Sequence, residues 1–377
     1  MEGMERFRRA VAAHRGGTAE VIVRFPRQLG DVVFTLPFLG GLRRAWIREA
    51  DAAGLRLRWV AVGHAMGAAL FSEADPAFFA ETRVEQGGVG KPDPWDLARG
   101  WRREPPLAVL NLGQSVRVAL GAWMAGVPLR AGIADNHLGL LYHHACRYRD
   151  LPAHVSERFL PLLRQLTGGA DLRWLPLGPA ELGGRGALAK LAAAGWRGRP
   201  YVTLAFGTQG YGKRWFPELE TWTRLAGLIR AEGLDVVWLG GPAERDLGRA
   251  LAARVPGSLD LTGATSLPEA VALQHGAWGN VAVDTGLLHT AAATGSPTVG
   301  IFGGLWDPLV YPVGPWALGL RGPSLDLGPG AHPEDLDAHG STAHRLRPER
   351  VFRALRSLAL EAQAARLQGG LAEGLGA

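Results

Sequence analysis

Residues 281–302 read VAVDTGLLHTAAATGSPTVGIF, and this stretch decides the fold. An apolar run ends in Asp284-Thr285-Gly286, an alanine-rich segment follows, and Gly295 and Pro297 precede a second apolar run. The pattern predicts strand, helix and strand, the repeating unit of a parallel sheet covered by helices. Residues 285–306 carry no formal charge and are long enough to span a bilayer. Because glycine and proline interrupt them, we predict a buried core segment and no membrane span.

Five further runs rich in valine, isoleucine and leucine repeat this pattern on both sides of the chain's middle. They lie at residues 20–25, 55–62, 107–112, 201–206 and 234–239. Between the two sets, residues 167–186 are dense in glycine and proline and are the candidate linker. We therefore predict an α/β fold with two Rossmann-like, doubly wound domains facing a central cleft, and ligands at the carboxyl ends of the strands.

The length of 377 residues also favours two domains. We place an N-terminal acceptor-binding domain at residues 1–175 and a C-terminal nucleotide-sugar-binding domain at 187–345. The apolar spacing of residues 347–367 predicts a last helix, which we expect to pack back toward the N-terminal domain.

The charge is basic, because 41 lysines and arginines face 35 acidic residues and give a net charge of +6. Only three of the 41 are lysines, which leaves 38 arginines. Codon bias is one explanation of this excess of arginine. The alternative is a functional attraction to phosphate-bearing ligands or to an anionic membrane face. No nucleic-acid-binding motif is present, so we expect no nucleic-acid partner. Separately, we favour a monomer.

Cys146 is the single cysteine, so the chain cannot form an internal disulfide, and we expect an inert thiol in a reducing compartment. The first 17 residues lack the apolar core of a signal peptide, which predicts a cytoplasmic protein. Asp335 and Asp337 match a D-x-D pattern but sit in a loop far from any predicted strand edge, so we assign no metal.

Asp31 follows the first strand and begins an apolar helix, after the loop PRQLG. It can cap the free amides of that helix. Alternatively, because the carboxyl edge of the sheet is where a ligand is expected, its carboxylate can accept a proton from a substrate hydroxyl.

Residues 205–217, AFGTQGYGKRWFP, form a loop after the first strand of the second half. Backbone amides, Thr208 and the cations Lys213 and Arg214 can cradle a phosphate there, although the spacing is not that of a Walker A loop. A solvated basic loop is the alternative. The rarity of lysine in this chain favours a specific role for Lys213.

Asp284 closes a strand, and the amides of the helix that begins near Thr285 and Gly286 favour an anion. Asp284 can bind a sugar hydroxyl or cap the helix, while His289 shares a face with Thr285 and can be structural or functional. Glu244 follows the strand at 234–239. Its carboxylate can bind ribose hydroxyls, or the dipole of the following helix can simply favour a glutamate in its first turn.

Together these segments resemble glycosyltransferase family 9, the ADP-heptose:lipopolysaccharide heptosyltransferases, which have the two-domain GT-B fold. The matching features occur in family order at residues 24–45, 212–217, 236–246, 261–273 and 282–303. The resemblance implies that Asp31 is the catalytic base, that Lys213 binds and stabilises the donor phosphates, and that Glu244 contacts the nucleotide ribose. It also implies that Asp284, Thr285, Gly286 and His289 bind the donor.

The loop before Asp31 departs from the family pattern, because Pro26, Arg27, Gln28 and Leu29 intervene. Two segments of the first half lie where acceptor contacts are plausible: residues 111–115, NLGQS, and His154 with Glu157 and Arg158. Neither is assigned a role.

The resemblance predicts an inverting transfer of heptose from ADP-heptose to a lipopolysaccharide-core or related acceptor. Fixed cations and a helix dipole replace an obligatory metal, with Mg²⁺ as a stimulator at most. The expected location is cytoplasmic and peripheral to the inner membrane, where a glycolipid acceptor lies. A GT-B-fold sugar-nucleotide epimerase and a non-catalytic nucleotide- or glycan-binding GT-B module are the alternatives.

Overall fold

The computed structural model describes residues 2–72, 78–84, 93–135, 138–148, 153–178, 181–208, 213–215, 218–303, 309–322 and 342–374. The chain divides into two compact units, Met1–Leu175 and Pro176–Ala377. The division falls inside the glycine- and proline-rich segment at residues 167–186.

The first unit contains a parallel six-stranded sheet with the strand order β3-β2-β1-β4-β5-β6. Its strands are β1 (Thr18–Arg24), β2 (Arg56–Gly63), β3 (Glu81–Val84), β4 (Ala108–Asn111), β5 (Leu129–Ile133) and β6 (His144–Cys146). Its helices are α1 (Glu2–Ala13), α2 (Leu29–Phe34), α3 (Leu36–Ala52), α4 (Ala65–Ser72), α5 (Pro94–Arg103), α6 (Val116–Met124) and α7 (Leu160–Thr167).

The second unit contains another parallel six-stranded sheet, with the order β12-β11-β10-β7-β8-β9. Its strands are β7 (Tyr201–Ala205), β8 (Asp235–Leu239), β9 (Leu259–Asp260), β10 (Gly279–Val283), β11 (Thr298–Phe302) and β12 (Ala317–Arg321). Its helices are α8 (Glu181–Ala193), α9 (Glu218–Ala231), α10 (Arg245–Arg254), α11 (Leu267–Gly276), α12 (Gly286–Ala293) and α13 (Pro348–Gly374).

Both sheets are the doubly wound parallel type that the sequence predicts. Strands β7, β10 and β11 are buried along their whole length, as expected where helices cover both faces of a sheet. Ala205 at the end of β7 pairs with Ala282 on one side and with Leu239 on the other. The loops that follow β10, β7 and β8 therefore begin side by side at one edge.

A tryptophan-rich core supports this edge of the second sheet. Trp215, Trp222 and Trp238 are fully buried, and Trp215 packs edge-on against Trp222 with ring centroids 5.1 Å apart. The Trp215 indole N–H donates to the carbonyl of Leu346 at 3.0 Å, so its polar atom is satisfied inside the core. The loop that carries Lys213 is thereby anchored two residues after the lysine.

Helix α13 continues to Gly374, beyond the predicted end at Leu367. Its buried residues Val351 and Leu355 belong to the core of the second unit. The predicted packing of this helix toward the N-terminal domain stays a prediction.

Cys146 is buried, and burial raises the pKa of its thiol to about 12, which agrees with the expected inert thiol. Within the described ranges, the helices are too short or too polar to cross a membrane.

Candidate active site

The carboxyl edge of the second sheet brings together the segments after β7, β8 and β10. These strands are neighbours in the sheet. The segments that carry Thr208, Glu244 and Asp284 therefore leave the sheet from adjacent strand ends, although up to 76 residues separate them in sequence. The Thr208 hydroxyl donates to the carbonyl of Asp284 at 3.3 Å, which joins the loop after β7 to the end of β10.

Asp284 is the centre of this group. The Lys213 ammonium lies 2.6 Å from its Oδ2, and Nε2 of His289 lies 3.6 Å from its Oδ1. The Asp284 side chain is 13% exposed and that of His289 4%, whereas Lys213 is 51% exposed. The lysine therefore keeps half of its surface available to a ligand while the carboxylate holds its position.

Two opposing effects set the ionisation of Asp284. Burial on its own raises the pKa of the carboxyl, but the hydrogen bond with His289 and the charge of Lys213 outweigh it, so the pKa is lowered. Asp284 is accordingly an anion at neutral pH and a fixed counter-charge for Lys213.

The chain turns into α12 directly after Asp284. Thr285 is the N-cap residue, with an extended backbone and no side-chain capping bond, and the helix begins at Gly286. The capping alternative for Asp284 is wrong, because its carboxylate is taken up by Lys213 and His289. His289 contacts Asp284 from one turn into the helix, and its role in donor binding stays a prediction.

Glu244 follows β8, which lies on the other side of β7 from β10. Its carboxylate accepts a hydrogen bond from the Gly241 N–H at 2.6 Å. A Cβ placed on Gly207 would lie 2.4 Å from Cγ of Glu244, so the glutamate crosses directly over the backbone that precedes Thr208. The loops after β7 and β8 therefore fit together only because residue 207 is a glycine.

Asp31 lies in the first unit, half-buried at the carboxyl edge of its sheet. Helix α2 begins at Leu29 with Gln28 as its N-cap, earlier than the sequence predicts, so Asp31 is the third helical residue. The N-cap interpretation of Asp31 is therefore wrong. Its role as a base stays a prediction.

Polar side chains that the sequence analysis left without a role surround this edge. Burial, and then the negative charge of Asp31, raises the pKa of the Tyr148 hydroxyl. The Arg158 guanidinium lies 5.3 Å from the centre of the Tyr148 ring and donates to the carbonyl of Ala153 at 3.1 Å. Asp135, which follows β5, was missed, because the short run LRAGI gives no clear strand signal.

Metal ligands are sparse in the part of the chain that the structure describes. No group of three or more histidine, cysteine, aspartate or glutamate side chains there is arranged to hold a metal ion. Asp335 and Asp337 lie outside the described residues.

Comparison with known proteins identifies the family. Residues 95–318 match the model of glycosyltransferase family 9 (heptosyltransferase). The chain is 34% identical over 289 residues to lipopolysaccharide heptosyltransferase 1 of Pseudomonas aeruginosa, across 73% of this chain and 76% of that protein.

Solved structures share the fold. A family 9 glycosyltransferase from Veillonella parvula has a TM-score of 0.75 at 19% identity, over 93% of this chain and 99% of its own. The ADP-heptose lipopolysaccharide heptosyltransferase II of Escherichia coli has a TM-score of 0.70 at 21% identity, over 91% and 99%. An Escherichia coli heptosyltransferase with ADP has a TM-score of 0.64 at 20% identity, over 90% and 99%. Both predictions, of the GT-B fold and of the family, are confirmed: the chain is a glycosyltransferase and belongs to glycosyltransferase family 9, the heptosyltransferase family.

Proposed function

We propose that this protein transfers heptose from ADP-heptose to a sugar of a lipopolysaccharide core, with inversion at the anomeric carbon. The names of its relatives indicate both substrates, since they include a lipopolysaccharide heptosyltransferase and an ADP-heptose-dependent enzyme. The observation that carries the proposal is the half-exposed side chain of Lys213, whose ammonium lies 2.6 Å from the Asp284 carboxylate beside the start of α12.

The donor diphosphate binds at this edge of the second sheet. Lys213 supplies a full positive charge, and the first amides of α12 supply donors and the positive end of the helix dipole. Glu244, held by the Gly241 N–H across Gly207, contacts the ribose hydroxyls. Asp284 positions Lys213 through their ion pair, and the bound diphosphate shares the ammonium with this carboxylate.

Asp31 acts as the base on the acceptor. It takes the proton of the acceptor hydroxyl, whose oxygen forms the bond to the anomeric carbon. The bond between that carbon and the phosphate oxygen breaks, and its electron pair leaves with ADP. Lys213 and the α12 amides stabilise the charge that develops on the leaving group, which is the function a metal ion has in many phosphate chemistries. We therefore propose that no metal is obligatory.

The acceptor is lipid-anchored in this proposal, which places the working enzyme at the cytoplasmic face of the inner membrane. Nucleotide-sugar epimerisation and non-catalytic binding make different predictions. An epimerase changes the sugar without an acceptor, and a binding module has no need of a base in the unit that lacks the donor site.

The variant Asp31→Asn tests the base. It keeps the size of the side chain but cannot accept the proton, so we expect heptosyl transfer to fall about 10²–10⁴-fold while ADP affinity, measured by calorimetry, stays unchanged. Asp51→Asn, at an exposed aspartate near the end of α3, is the matched control and should transfer at the wild-type rate. Wild-type transfer by Asp31→Asn would overturn the assignment of the base.

A further inference from the structure

The loop after β4 contains an unusual backbone conformation. Gln114 has a φ of +57°, and it is the one non-glycine residue with positive φ among the residues that the structure describes. Eleven described glycines adopt positive φ elsewhere. Glycine takes this conformation without steric cost, whereas glutamine does not. The chain therefore has a glutamine at a position where the backbone conformation favours glycine.

Buried hydrogen bonds hold the loop in this shape. Asn111 is fully buried, and its Nδ2 donates to the Ser115 carbonyl at 2.7 Å and to the Tyr142 hydroxyl at 2.8 Å. Its Oδ1 accepts from the Ser115 N–H at 3.0 Å. A Cβ on Gly113 would lie 2.2 Å from the carbonyl oxygen of Phe25, so the backbone before Gln114 packs directly against the residue that follows β1. The strain at Gln114 is thus imposed by its surroundings.

The conformation aims the Gln114 amide at Asp135. Nε2 of Gln114 donates to Oδ2 of Asp135 at 3.2 Å, while Oδ1 of Asp135 accepts from the Tyr148 N–H at 2.6 Å. Asp135 follows β5, the neighbour of β4, and both side chains are half-buried. An amide and a carboxylate therefore sit together at the carboxyl edge of the first sheet.

This amide–carboxylate pair belongs to the same group as Asp31. The N–H groups of Leu112 and Gly113 donate to the carbonyl of Arg24, the last residue of β1, from which the chain runs on to Asp31. The charges of Asp31 and Asp135 both act on the Tyr148 hydroxyl, and both raise its pKa in addition to burial. Both carboxylates therefore lie within electrostatic reach of Tyr148.

We propose that Gln114 and Asp135 bind hydroxyl groups of the acceptor sugar and present its attacking oxygen to Asp31. This inference rests on the proposed function and assigns its acceptor side. Adjacent sugar hydroxyls are donors and acceptors at once, and a carboxylate beside an amide offers both complementary functions in a fixed geometry. A strained residue whose side chain serves a ligand is a recognised arrangement at binding sites.

The variant Gln114→Gly separates this role from a structural one, because the two predict opposite results. Glycine relieves the strain, so we expect the melting temperature to stay the same or rise. The acceptor KM should rise about 10-fold, the loss expected for one hydrogen-bonding side chain, while ADP affinity stays unchanged. Asp135→Asn should raise the acceptor KM similarly. Gln165→Ala, at an exposed first-unit glutamine that donates to the Ala145 carbonyl, is the control and should alter neither constant.

Acceptor binding is also measured directly, by calorimetry with a delipidated heptose-free core oligosaccharide. If the wild type transfers heptose and Gln114→Gly binds the oligosaccharide as tightly as the wild type, the inference is wrong and the proposed function stands. A drop in melting temperature together with weaker binding of both substrates would assign Gln114 a structural role and would also overturn it. A wild type that neither binds the oligosaccharide nor transfers heptose would overturn both proposals.

Discussion

Lys213 and Asp284 form the ion pair on which the proposed donor binding depends. Their sequence segments predict a phosphate role for Lys213 and a sugar or capping role for Asp284, each independently of the other. The contact between them is not predictable from sequence, because 71 residues separate them and only the adjacency of β7 and β10 brings them within 2.6 Å. Motifs located the residues, whereas the strand order determined which residues act together.

Replacing Lys213 tests the phosphate role. Lys213→Gln removes one charge-assisted contact, worth about 1.5–3 kcal/mol, so we expect the Kd for ADP to rise about 10- to 100-fold in calorimetry. Lys190→Gln is the matched control, since Lys190 is also a second-unit lysine paired with a carboxylate, that of Glu269. Equal ADP affinity in Lys213→Gln and the wild type would contradict the role.

His143 provides a pH test within the first unit. Burial, then the charges of Arg130 and Arg6, lowers the pKa of His143 to about 4, and its Nδ1 accepts the Arg130 N–H at 3.1 Å. Because the folded-state pKa lies below the unfolded value of about 6.5, this histidine's contribution to stability is complete above pH 6.5 and is lost as the pH falls toward 4.

We therefore expect the His143 ring signals in NMR to titrate near pH 4 in the folded protein. The fall in the free energy of unfolding between pH 6.5 and 4 should be smaller in His143→Gln than in the wild type. Titration of His143 near pH 6.5 would show that the neutral ring is not required by the fold.

Among the elements, the strands with an uninterrupted apolar run were predictable, and those that are very short or contain polar residues or glycine were not. The strands β1, β2, β4, β7, β8, β10 and β11 each match a predicted apolar run within one or two residues. The missed strands share weak signals: β9 has two residues, β6 has three, β3 is largely polar, β12 is partly exposed, and Arg130 and Gly132 interrupt β5. Hydrophobic periodicity needs four or more residues to be recognisable.

The missed β5 had a consequence for the site. Without that strand, nothing in the sequence places Asp135 at the carboxyl edge beside Gln114. Asp31, Lys213, Glu244 and Asp284 were found because each follows or begins near a strand that the pattern does reveal.

The close fit of the loops after β7 and β8 is testable through Gly207. Gly207→Ala places a Cβ 2.4 Å from Cγ of Glu244, so the glutamate or the loop must move, at a cost of about 1–3 kcal/mol in stability. We expect a lower melting temperature and ADP affinity weakened about 10-fold, because Thr208 and Glu244 shift together.

Gly227→Ala on α9 is the control. Its Cβ would meet nothing within 4 Å, so the helix should gain about 0.5–1 kcal/mol and ADP binding should not change. Unaltered ADP affinity in Gly207→Ala would show that the contact between the two loops is irrelevant to the donor.

At the scale of the whole molecule, the net charge of +6 and the division into two units have different causes. The first unit holds Asp31 with its polar neighbours, and the second holds Lys213, the cation proposed to bind the donor. Lys213 pairs a half-exposed side chain with the largely buried carboxylate of Asp284 at the carboxyl edge of the second sheet, and this position argues for a ligand role. Sequence alone could not separate it from the compositional excess of arginine except by the rarity of lysine.

Thermal stabilisation tests the choice of nucleotide on the intact protein. A ligand that binds only the folded state stabilises it by about 2.7 kcal/mol at a concentration of 100 times its Kd. We expect ADP to raise the melting temperature and UDP at the same concentration to raise it less. A larger effect of UDP would contradict the assignment of the donor.

Heptosyl transfer itself is the most direct test. The wild-type protein is incubated with ADP-heptose and a heptose-free lipopolysaccharide-core acceptor, and NMR follows the nucleotide and both sugars. We predict equal amounts of ADP and heptosylated acceptor, an inverted anomeric centre in the product, and no change in ADP-heptose when the acceptor is omitted. Isomerised or released heptose without acceptor, or an acceptor left unmodified in the presence of the intact donor, would contradict the proposed function.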